Sequence, residues 1–239
     1  MVEHYKNRTD RIEILYEDNH LIAVNKSSGQ LVQGDSEGES GLEDMLKEYI
    51  KRRDGKPGDV FLGVIHRIDR PVSGVVLFAK TSKALTRMNE MIRNRKVDKR
   101  YWAIVENSPE EPEGTLRHWM TRDGKTNKAH AYVSARGDAK EAVLRYRLSG
   151  GSRNYCMLEV ELITGRHHQI RCQLSKIGCP IKGDLKYGAT RSNPGGGISL
   201  HSRTVTFEHP VRHEPITITA PVPQEDNLWL FFENAHADE

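Results

Sequence analysis

The residues best suited to chemistry lie in a short stretch from Val64 to Gly74. In this stretch the carboxylate of Asp69 stands between the guanidinium groups of Arg67 and Arg70. Neighbouring positive charge favours the ionised form of a carboxyl group, so Asp69 is a candidate nucleophile or base. Arginine side chains also bind phosphate. The loop therefore combines a reactive carboxylate with groups that can hold a phosphate.

A purely structural role is the alternative interpretation of this loop. Asp69 would then pair with Arg67 or Arg70 and brace a turn before a strand. Taken alone, an Arg-x-Asp-Arg string favours that interpretation. The run 75–80 is apolar enough for a buried strand, and Gly74 before it would let a substrate approach the backbone closely. These two neighbours favour a functional loop.

A second candidate set begins at Thr164 and Gly165. Apolar residues at helical spacing follow and predict a helix over 166–177. Backbone amides at a helix N-terminus attract anions, so this end could hold a phosphate or a carboxylate. Arg171 lies one turn into the predicted helix and could reach a buried carboxylate.

The pair His167-His168 raises the question of a metal site. Adjacent histidines on a helix point in different directions, and no third ligand is spaced to complete a site, so we expect no metal. The glycine-rich run 193–197 fits neither a P-loop nor a dinucleotide fingerprint, so no cofactor is expected. Three cysteines are too few for a disulfide framework and suggest a reducing compartment.

Two further stretches leave their roles open. Tyr101 lies in a run with strong β-propensity and is either an ordinary strand aromatic or a ring that stacks on a base, with a hydroxyl that moves a proton. Spacing alone does not decide between these roles. The run 179–188 is dense in turn formers and lysine, and by itself it indicates a loop.

Composition indicates a globular protein of 239 residues with a formal net charge of +3. Three basic clusters stand out, and each is either a solvated face or a contact to nucleic acid: 51–53, 93–96 and 99–100. We find no signal-peptide pattern and no apolar run long enough to cross a membrane, so a cytoplasmic protein without membrane contact is expected.

The predicted elements alternate helices with a larger number of strands. Strands are expected at 12–17, 21–26, 75–80, 101–105, 128–134, 141–148, 155–163, 198–207, 215–219 and 228–232. Helices are expected at 40–53, from a cap at Ser82, and at 166–177, while the polar, proline-containing run 106–127 is expected to be a loop or an insertion. Most successive strands are close enough for hairpins. This predicts an α+β fold with a mainly antiparallel mixed sheet, flanking helices and a single domain over 1–239.

The motifs occur together in one order, and on them the chain resembles the RluA-type RNA pseudouridine synthases. Residues 66–74 match the motif His-Arg-Leu-Asp-Arg-x-x-Ser-Gly, with Ile68 in place of leucine. The other matching segments are 16–29, 99–105, 164–171, 178–184, 200–201 and 209–210. The likeness covers about residues 12–222, and the order of these motifs makes it specific.

The resemblance implies an enzyme that isomerises uridine to pseudouridine in ribosomal or transfer RNA without a cofactor. It implies that Asp69 is the catalytic carboxylate, acting either by covalent attack or by removing a sugar proton. Arg171 would pair with Asp69, and Tyr101 would stack on the uracil and take a proton from it. Arg67 would fill the space that the flipped uridine leaves in the RNA stack.

The resemblance also implies a set of residues that bind the RNA: His66, Arg67, Arg70, Ser73, Gly74, Arg166, His168 and Gln169. We expect no N-terminal accessory RNA-binding module, no obligate protein partner and a monomer. A binding protein without activity would have no need of a buried carboxylate. A nuclease or glycosidase would need a metal cluster or a second catalytic carboxylate, and neither stands out near these motifs.

Overall fold

The structure is a computed structural model that describes residues 12–35 and 38–237. The chain divides into two compact units, which are described separately. The first unit contains residues up to 97 together with 204–221, and the second contains 98–203 together with the residues from 222 onward. Within the described ranges, no helix is both long and apolar enough to cross a membrane.

The first unit is built from strands with two helices. Its elements are β1 (Glu13–Glu17), β2 (Leu21–Lys26), α1 (Leu42–Arg53), β3 (Gly63–Val64), β4 (Ser73–Ala79), α2 (Ser82–Arg93), the C-terminal part of β10 (Leu200–Glu208) and β11 (Pro215–Thr219). The strand order is β1-β2-β4-β10, with β3 on β4 and β11 on β10. The pairs β1–β2, β2–β4, β3–β4 and β10–β11 are antiparallel.

Helix α2 begins one residue away from the cap that its sequence suggested. The N-cap is Thr81, whose hydroxyl oxygen accepts a hydrogen bond from the backbone nitrogen of Ala84 at 3.2 Å, so the prediction of Ser82 was wrong. Both residues are good caps, and Thr81 has the extended backbone that a cap requires. From this start the helix buries Ala84 and Met88 in the core of the unit.

The second unit contains the longer antiparallel strands. Its elements are the N-terminal part of β10, β5 (Asp98–Val105), β6 (Glu113–Asp123), β7 (Lys128–Tyr132), β8 (Lys140–Gly151), β9 (Cys156–Leu162), α3 (Gln169–Lys176) and α4 (Asn227–Ala237). The strand order is β10-β5-β9-β8-β6-β7. The pairs β5–β9, β9–β8, β8–β6 and β6–β7 are antiparallel. Strands with flanking helices in both units confirm the α+β prediction.

Strand β6 lies inside the run 106–127, which was predicted to be a loop or an insertion, so the prediction of a loop was wrong. Only His118 and Met120 on its inner face are buried, while Arg117 on the other face is exposed. The apolar signal is therefore too sparse to show the alternation of a strand. Pairing with β7 and β8 supplies the backbone hydrogen bonds that stabilise it.

The run 228–232 was predicted to be a strand, but it lies in helix α4. A short apolar run does not by itself distinguish the two structures. Trp229 and Phe232, three residues apart, are buried against β5 and β9, while Phe231 is half exposed. The carboxylate of Asp226 accepts a hydrogen bond from the backbone nitrogen of Leu228 at 2.9 Å at the start of the helix. Because residues three apart lie on the same face of a helix, a helix buries both rings together where a strand would not.

Candidate active site

Asp69 lies on the short connection from β3 to β4. Its side chain is half-buried, and its backbone carbonyl accepts a hydrogen bond from the nitrogen of Val72 at 3.0 Å, which closes the turn. Ser73, the first residue of β4, is buried, and Gly74 follows at φ 111°, in the region that favours glycine. The turn and the buried strand that the sequence predicted after Asp69 are both present.

Lys26, at the end of β2, holds the turn through a hydrogen bond to its backbone. This lysine is fully buried, and its ammonium donates to the backbone carbonyls of Ser27 (2.9 Å), Gln30 (2.9 Å) and Arg70 (3.0 Å). Burial lowers the pKa of Lys26 to about 7, although the negative charge of Asp69 acts in the opposite direction. Lys26 therefore fastens the residue after Asp69 to the first hairpin. Lys26 lies in the segment 16–29 that matches the family, but the sequence alone indicated no role for it.

The two arginines that flank Asp69 contact a more distant part of the first unit. Arg70 donates from Nε to the carbonyl of Gly29 at 3.0 Å and forms an ion pair with Glu39 at 3.1 Å. Arg67 is exposed and reaches Gln33 only at 3.4 Å. Arg70 thus braces the loop against residues 29–39, while Arg67 is held weakly. Their assignment to RNA binding remains a prediction.

His66 is tied to the neighbouring strand. Its Nε2 accepts a hydrogen bond from the backbone nitrogen of Leu77 at 3.2 Å, so Nε2 carries no proton. This contact fixes the imidazole beside β4. A role for His66 in RNA binding also remains a prediction.

Tyr101 belongs to the second unit, where it lies on β5 opposite Val160 of β9. Its side chain is only 6 % exposed. Two residues before it, the Lys99 ammonium lies close to Gly165; a Cβ atom at that glycine would be 3.7 Å from Nζ. Burial lowers the pKa of Lys99, and within residues 12–35 and 38–237 no acidic side chain forms an ion pair with it. The absence of a side chain at Gly165 leaves room for this ammonium.

Helix α3 begins at Gln169, three residues later than predicted, because His168 has a left-handed backbone with φ 51°. The side-chain oxygen of Gln169 accepts hydrogen bonds from the Thr164 hydroxyl (2.7 Å) and the Arg166 backbone nitrogen (3.0 Å). The Arg166 side chain donates to the carbonyl of Glu141 at 2.9 Å. These contacts brace the loop before the helix, and RNA binding by Arg166, His168 and Gln169 remains a prediction.

The rings of His167 and His168 stack on each other, with centroids 3.8 Å apart and an angle of 24° between the planes. The prediction that they point in different directions was therefore wrong. It assumed that both residues lie on the helix, whereas both precede it. The left-handed backbone of His168 changes the direction of its side chain and permits the stack.

Arg171 reaches a buried carboxylate, as its position in α3 suggested, and that carboxylate is Asp184. Nε of Arg171 lies 2.7 Å from one carboxylate oxygen and Nη2 lies 2.9 Å from the other. Both side chains are buried. In the sequence, Asp184 lies in a predicted loop and in the matching segment 178–184, but it was given no role of its own. The predicted pairing of Arg171 with Asp69 remains a prediction.

Tyr187 completes the surroundings of Arg171. The guanidinium carbon lies 5.0 Å from the centre of the tyrosine ring, within the range of a cation–π contact. The hydroxyl oxygen accepts from the backbone nitrogen of Ala129 at 2.8 Å and lies 2.9 Å from Nδ1 of His168. Burial raises the pKa of Tyr187 to about 12, so its hydroxyl keeps its proton and can donate it to His168.

The three basic clusters differ in whether their side chains form ion pairs with carboxylates. Arg53 forms an ion pair with Glu17 at 2.6 Å, and Arg100 forms one with Glu159 at 3.1 Å, which favours the solvated-face interpretation for both. By contrast, a cluster at the end of α2 is exposed and forms no ion pair with any residue that the structure describes. This α2-end cluster consists of Arg93, Arg95 and Lys96.

The cysteines are free thiols, in line with the expected absence of a disulfide framework. Cys172 and Cys179 are buried, and burial raises the pKa of the Cys172 thiol to about 11. Cys172 packs with Tyr187 in the core beneath α3. A protonated, buried thiol is a poor nucleophile, which leaves Asp69 as the stronger candidate for that role.

Comparison with known proteins gives matches over most of the chain. Residues 20–176 match the family described as RNA pseudouridylate synthase. The chain is 34 % identical to the ribosomal large subunit pseudouridine synthase D of Xylella fastidiosa, over 93 % of this chain and 72 % of that protein. It is 31 % identical to the protein of the same name from Xanthomonas campestris, over 90 % of this chain and 67 % of that protein.

A solved structure has the same fold. The human RNA pseudouridylate synthase domain containing 4 superposes with a TM-score of 0.76, covering 98 % of this chain and 96 % of that chain. The two sequences are 24 % identical, so this likeness concerns the fold alone.

Proposed function

The chain belongs to the RNA pseudouridylate synthase family, and from this premise we propose that it isomerises uridines of ribosomal RNA with Asp69 as the catalytic carboxylate. In this reaction the bond between the uracil ring nitrogen and the ribose is broken, the base turns, and its carbon 5 bonds to the same sugar carbon. Product and substrate have the same atoms and oxidation state. The choice of ribosomal RNA is supported by the names of the two bacterial relatives.

The observation that carries the role of Asp69 is its place on a fastened turn. The hydrogen bond from Val72 and the buried ammonium of Lys26 hold the backbone on which Asp69 sits. A half-buried carboxylate in a rigid loop is pre-organised for attack or proton transfer, because little reorganisation precedes the chemical step. Both covalent attack on the ribose and removal of a sugar proton fit this position.

Tyr101 and Arg171 have supporting roles in the proposal. The Tyr101 ring stacks on the uracil, and its hydroxyl takes the proton from carbon 5 in the last step. Arg171 keeps the carboxyl group of Asp69 ionised. Their burial supports these roles, since electrostatic and stacking contacts are stronger where water is excluded.

Base flipping brings the target uridine to the enzyme. Extruding a base from a stack costs a few kcal/mol, which new contacts must offset. Arg67 is suited to fill the vacated space because it is exposed and its one described hydrogen bond, to Gln33, is long. The α2-end cluster is suited to bind phosphates, because its charges are exposed and not neutralised by described carboxylates.

The test compares wild-type protein with Asp69→Asn on ribosomal and transfer RNA transcripts. Tritium release from uridine labelled at carbon 5 measures turnover, and filter binding measures RNA affinity. We expect Asp69→Asn to abolish turnover and to retain binding. The matched control is Asp59→Asn, an exposed carboxylate of the same unit, which should behave as wild type.

Three outcomes would contradict the proposal at different points. Near-normal turnover by Asp69→Asn would remove Asp69 from the reaction. Turnover on transfer RNA alone would overturn the assignment to ribosomal RNA. Strand cleavage without isomerised uridine would indicate a nuclease instead.

A further inference from the structure

The run 179–188, which by itself indicated a loop, contains Asp184 and Tyr187, and these two residues contact Arg171 and His168 at the start of α3. We propose that Asp184 and Tyr187 are positioning residues for the reaction, holding Arg171 and His168 in one fixed arrangement. This inference rests on the proposed function, since it assigns the two residues a part in the same isomerisation.

The contact between Asp184 and Arg171 fixes the plane of the guanidinium. Two nearly parallel hydrogen bonds of 2.7 and 2.9 Å join Nε and Nη2 to the two carboxylate oxygens. Bidentate pairs of this kind define orientation as well as distance. Asp184 occupies only one edge of the guanidinium, and Nη1 lies on the side that Asp184 does not touch. The pair therefore sets the direction in which the remaining donors point.

Tyr187 restricts the guanidinium on the side that faces its ring and also links it to His168. Its ring lies 5.0 Å from the guanidinium carbon of Arg171, and its hydroxyl lies 2.9 Å from Nδ1 of His168. The backbone nitrogen of Ala129 on β7 donates to the same hydroxyl at 2.8 Å. Tyr187 thus connects a strand, the start of α3 and the guanidinium through one side chain.

The loop that carries Asp184 is itself held firmly. The carbonyl of Asp184 accepts hydrogen bonds from the backbone nitrogens of Tyr187 (3.0 Å) and Ala189 (3.1 Å). Gly183 has φ 88°, and a Cβ atom there would come within 2.7 Å of Asn193, so the position requires glycine. Asn193 in turn accepts a hydrogen bond from Lys182 at 2.6 Å. These contacts leave Asp184 little freedom to move.

A contribution to stability is a weak explanation for the buried ion pair between Arg171 and Asp184. The desolvation of two buried charges offsets much of their attraction, and apolar replacements are often as stable. A guanidinium held in place before the substrate arrives is useful in catalysis, because no reorganisation is needed when charge develops. The arrangement therefore fits positioning of a cation better than it fits stabilisation of the fold.

The test measures kcat, KM and RNA affinity for Asp184→Asn and Tyr187→Phe. We expect Asp184→Asn to lower kcat by about 10- to 100-fold, the range seen when residues that orient metal ligands are replaced, with KM and affinity nearly unchanged. Tyr187→Phe keeps the ring and removes the hydroxyl, so its loss of kcat should be smaller. The matched control is Glu233→Gln, which removes an ion pair of 2.9 Å with Arg203 in the same unit and should leave kcat unchanged.

A double-mutant cycle separates positioning from a general structural effect. In an Arg171→Lys background, Asp184→Asn should cause little further loss of kcat, because it acts through Arg171. The inference would be overturned if Asp184→Asn lowered kcat by the same factor in the Arg171→Lys background as in the wild type. Wild-type kcat in both Asp184→Asn and Tyr187→Phe would also overturn it. If Asp184→Asn does not fold, Tyr187→Phe, which keeps the ion pair, decides the question. A wild-type protein that forms no pseudouridine would instead refute the proposed function.

Discussion

Replacing the buried Lys26 by methionine tests how the turn that carries Asp69 is held. The ammonium is fully buried and donates to three backbone carbonyls. Methionine has a similar length and shape but no charge, so the substitution removes the ammonium without a large change in volume. The loss of these hydrogen bonds, three from the ammonium or at most two from the neutral amine, should destabilise the protein at every pH. The informative quantity is how that loss changes with pH.

The expected magnitude follows from the lowered pKa of Lys26. It is about 7 in the folded protein, against an ordinary value of 10.5 that applies to the unfolded chain. Between these values the unfolded chain binds one proton more than the folded chain, so the free energy of unfolding rises with pH by up to ~1.4 kcal/mol per pH unit. From pH 7 to 9 the contribution of Lys26 is a rise of about 2 kcal/mol, since part of the titration is complete at pH 7.

Urea denaturation followed by far-UV circular dichroism, which reports on both units, measures this effect at pH 7, 8 and 9. The free energy of unfolding of the wild type minus that of Lys26→Met should grow by about 2 kcal/mol over this range. Lys125→Met, which removes an exposed lysine at the β6–β7 turn, is the matched control and should show no such growth. A difference that stays constant from pH 7 to 9 for Lys26→Met would refute the reasoning. The carbonyls and Asp69 would then hold the ammonium charged in spite of its burial.

Two further predictions concern RNA affinity and the loop that carries Asp184. Changing all three residues of the α2-end cluster to glutamine should weaken RNA binding and make the slope of log affinity against log salt shallower by about 2, since each contact to single-stranded RNA contributes ~0.7. An unchanged slope would remove this cluster from the RNA interface. Gly183→Ala should lower the free energy of unfolding by about 1–3 kcal/mol in thermal melts, because of its positive φ and its contact with Asn193. Gly124→Ala, where a Cβ atom meets nothing within 4 Å, is its control, and equal melting temperatures for the two variants would contradict the expected strain.

Local patterns predicted much of the fold. Strong alternation or continuous apolar character marked β2, β4 and β5, and helical spacing marked α1 and α2, so the sequence alone indicated an α+β protein. The turn after Asp69 was also predictable, because proline, serine and glycine follow it directly. The errors fell where local pattern is ambiguous. The run 228–232 is apolar on all sides, and β6 buries only a few residues on one face.

The left-handed backbone conformation of His168 could not be predicted from local sequence pattern. His168 adopts φ 51°, a conformation that a residue other than glycine rarely takes, and helix α3 therefore starts later than its periodicity suggested. The Tyr187 hydroxyl, 2.9 Å from Nδ1 of His168, holds the imidazole in this position. This contact cannot be recognised from spacing, because the two residues are 19 positions apart and lie in separate elements.

The residue types of this chain establish its chemical repertoire, from a carboxylate at Asp69 to a guanidinium at Arg171, and the order of its motifs identifies the family. The partner of each charged group depends on tertiary structure. Lys26 binds the carbonyl of residue 70, which is 44 positions away, and Arg171 binds Asp184, 13 positions away. A side chain fixes which hydrogen bonds are chemically possible. Only the packing of strands and loops decides which donor and acceptor are brought within 3 Å and shielded from water.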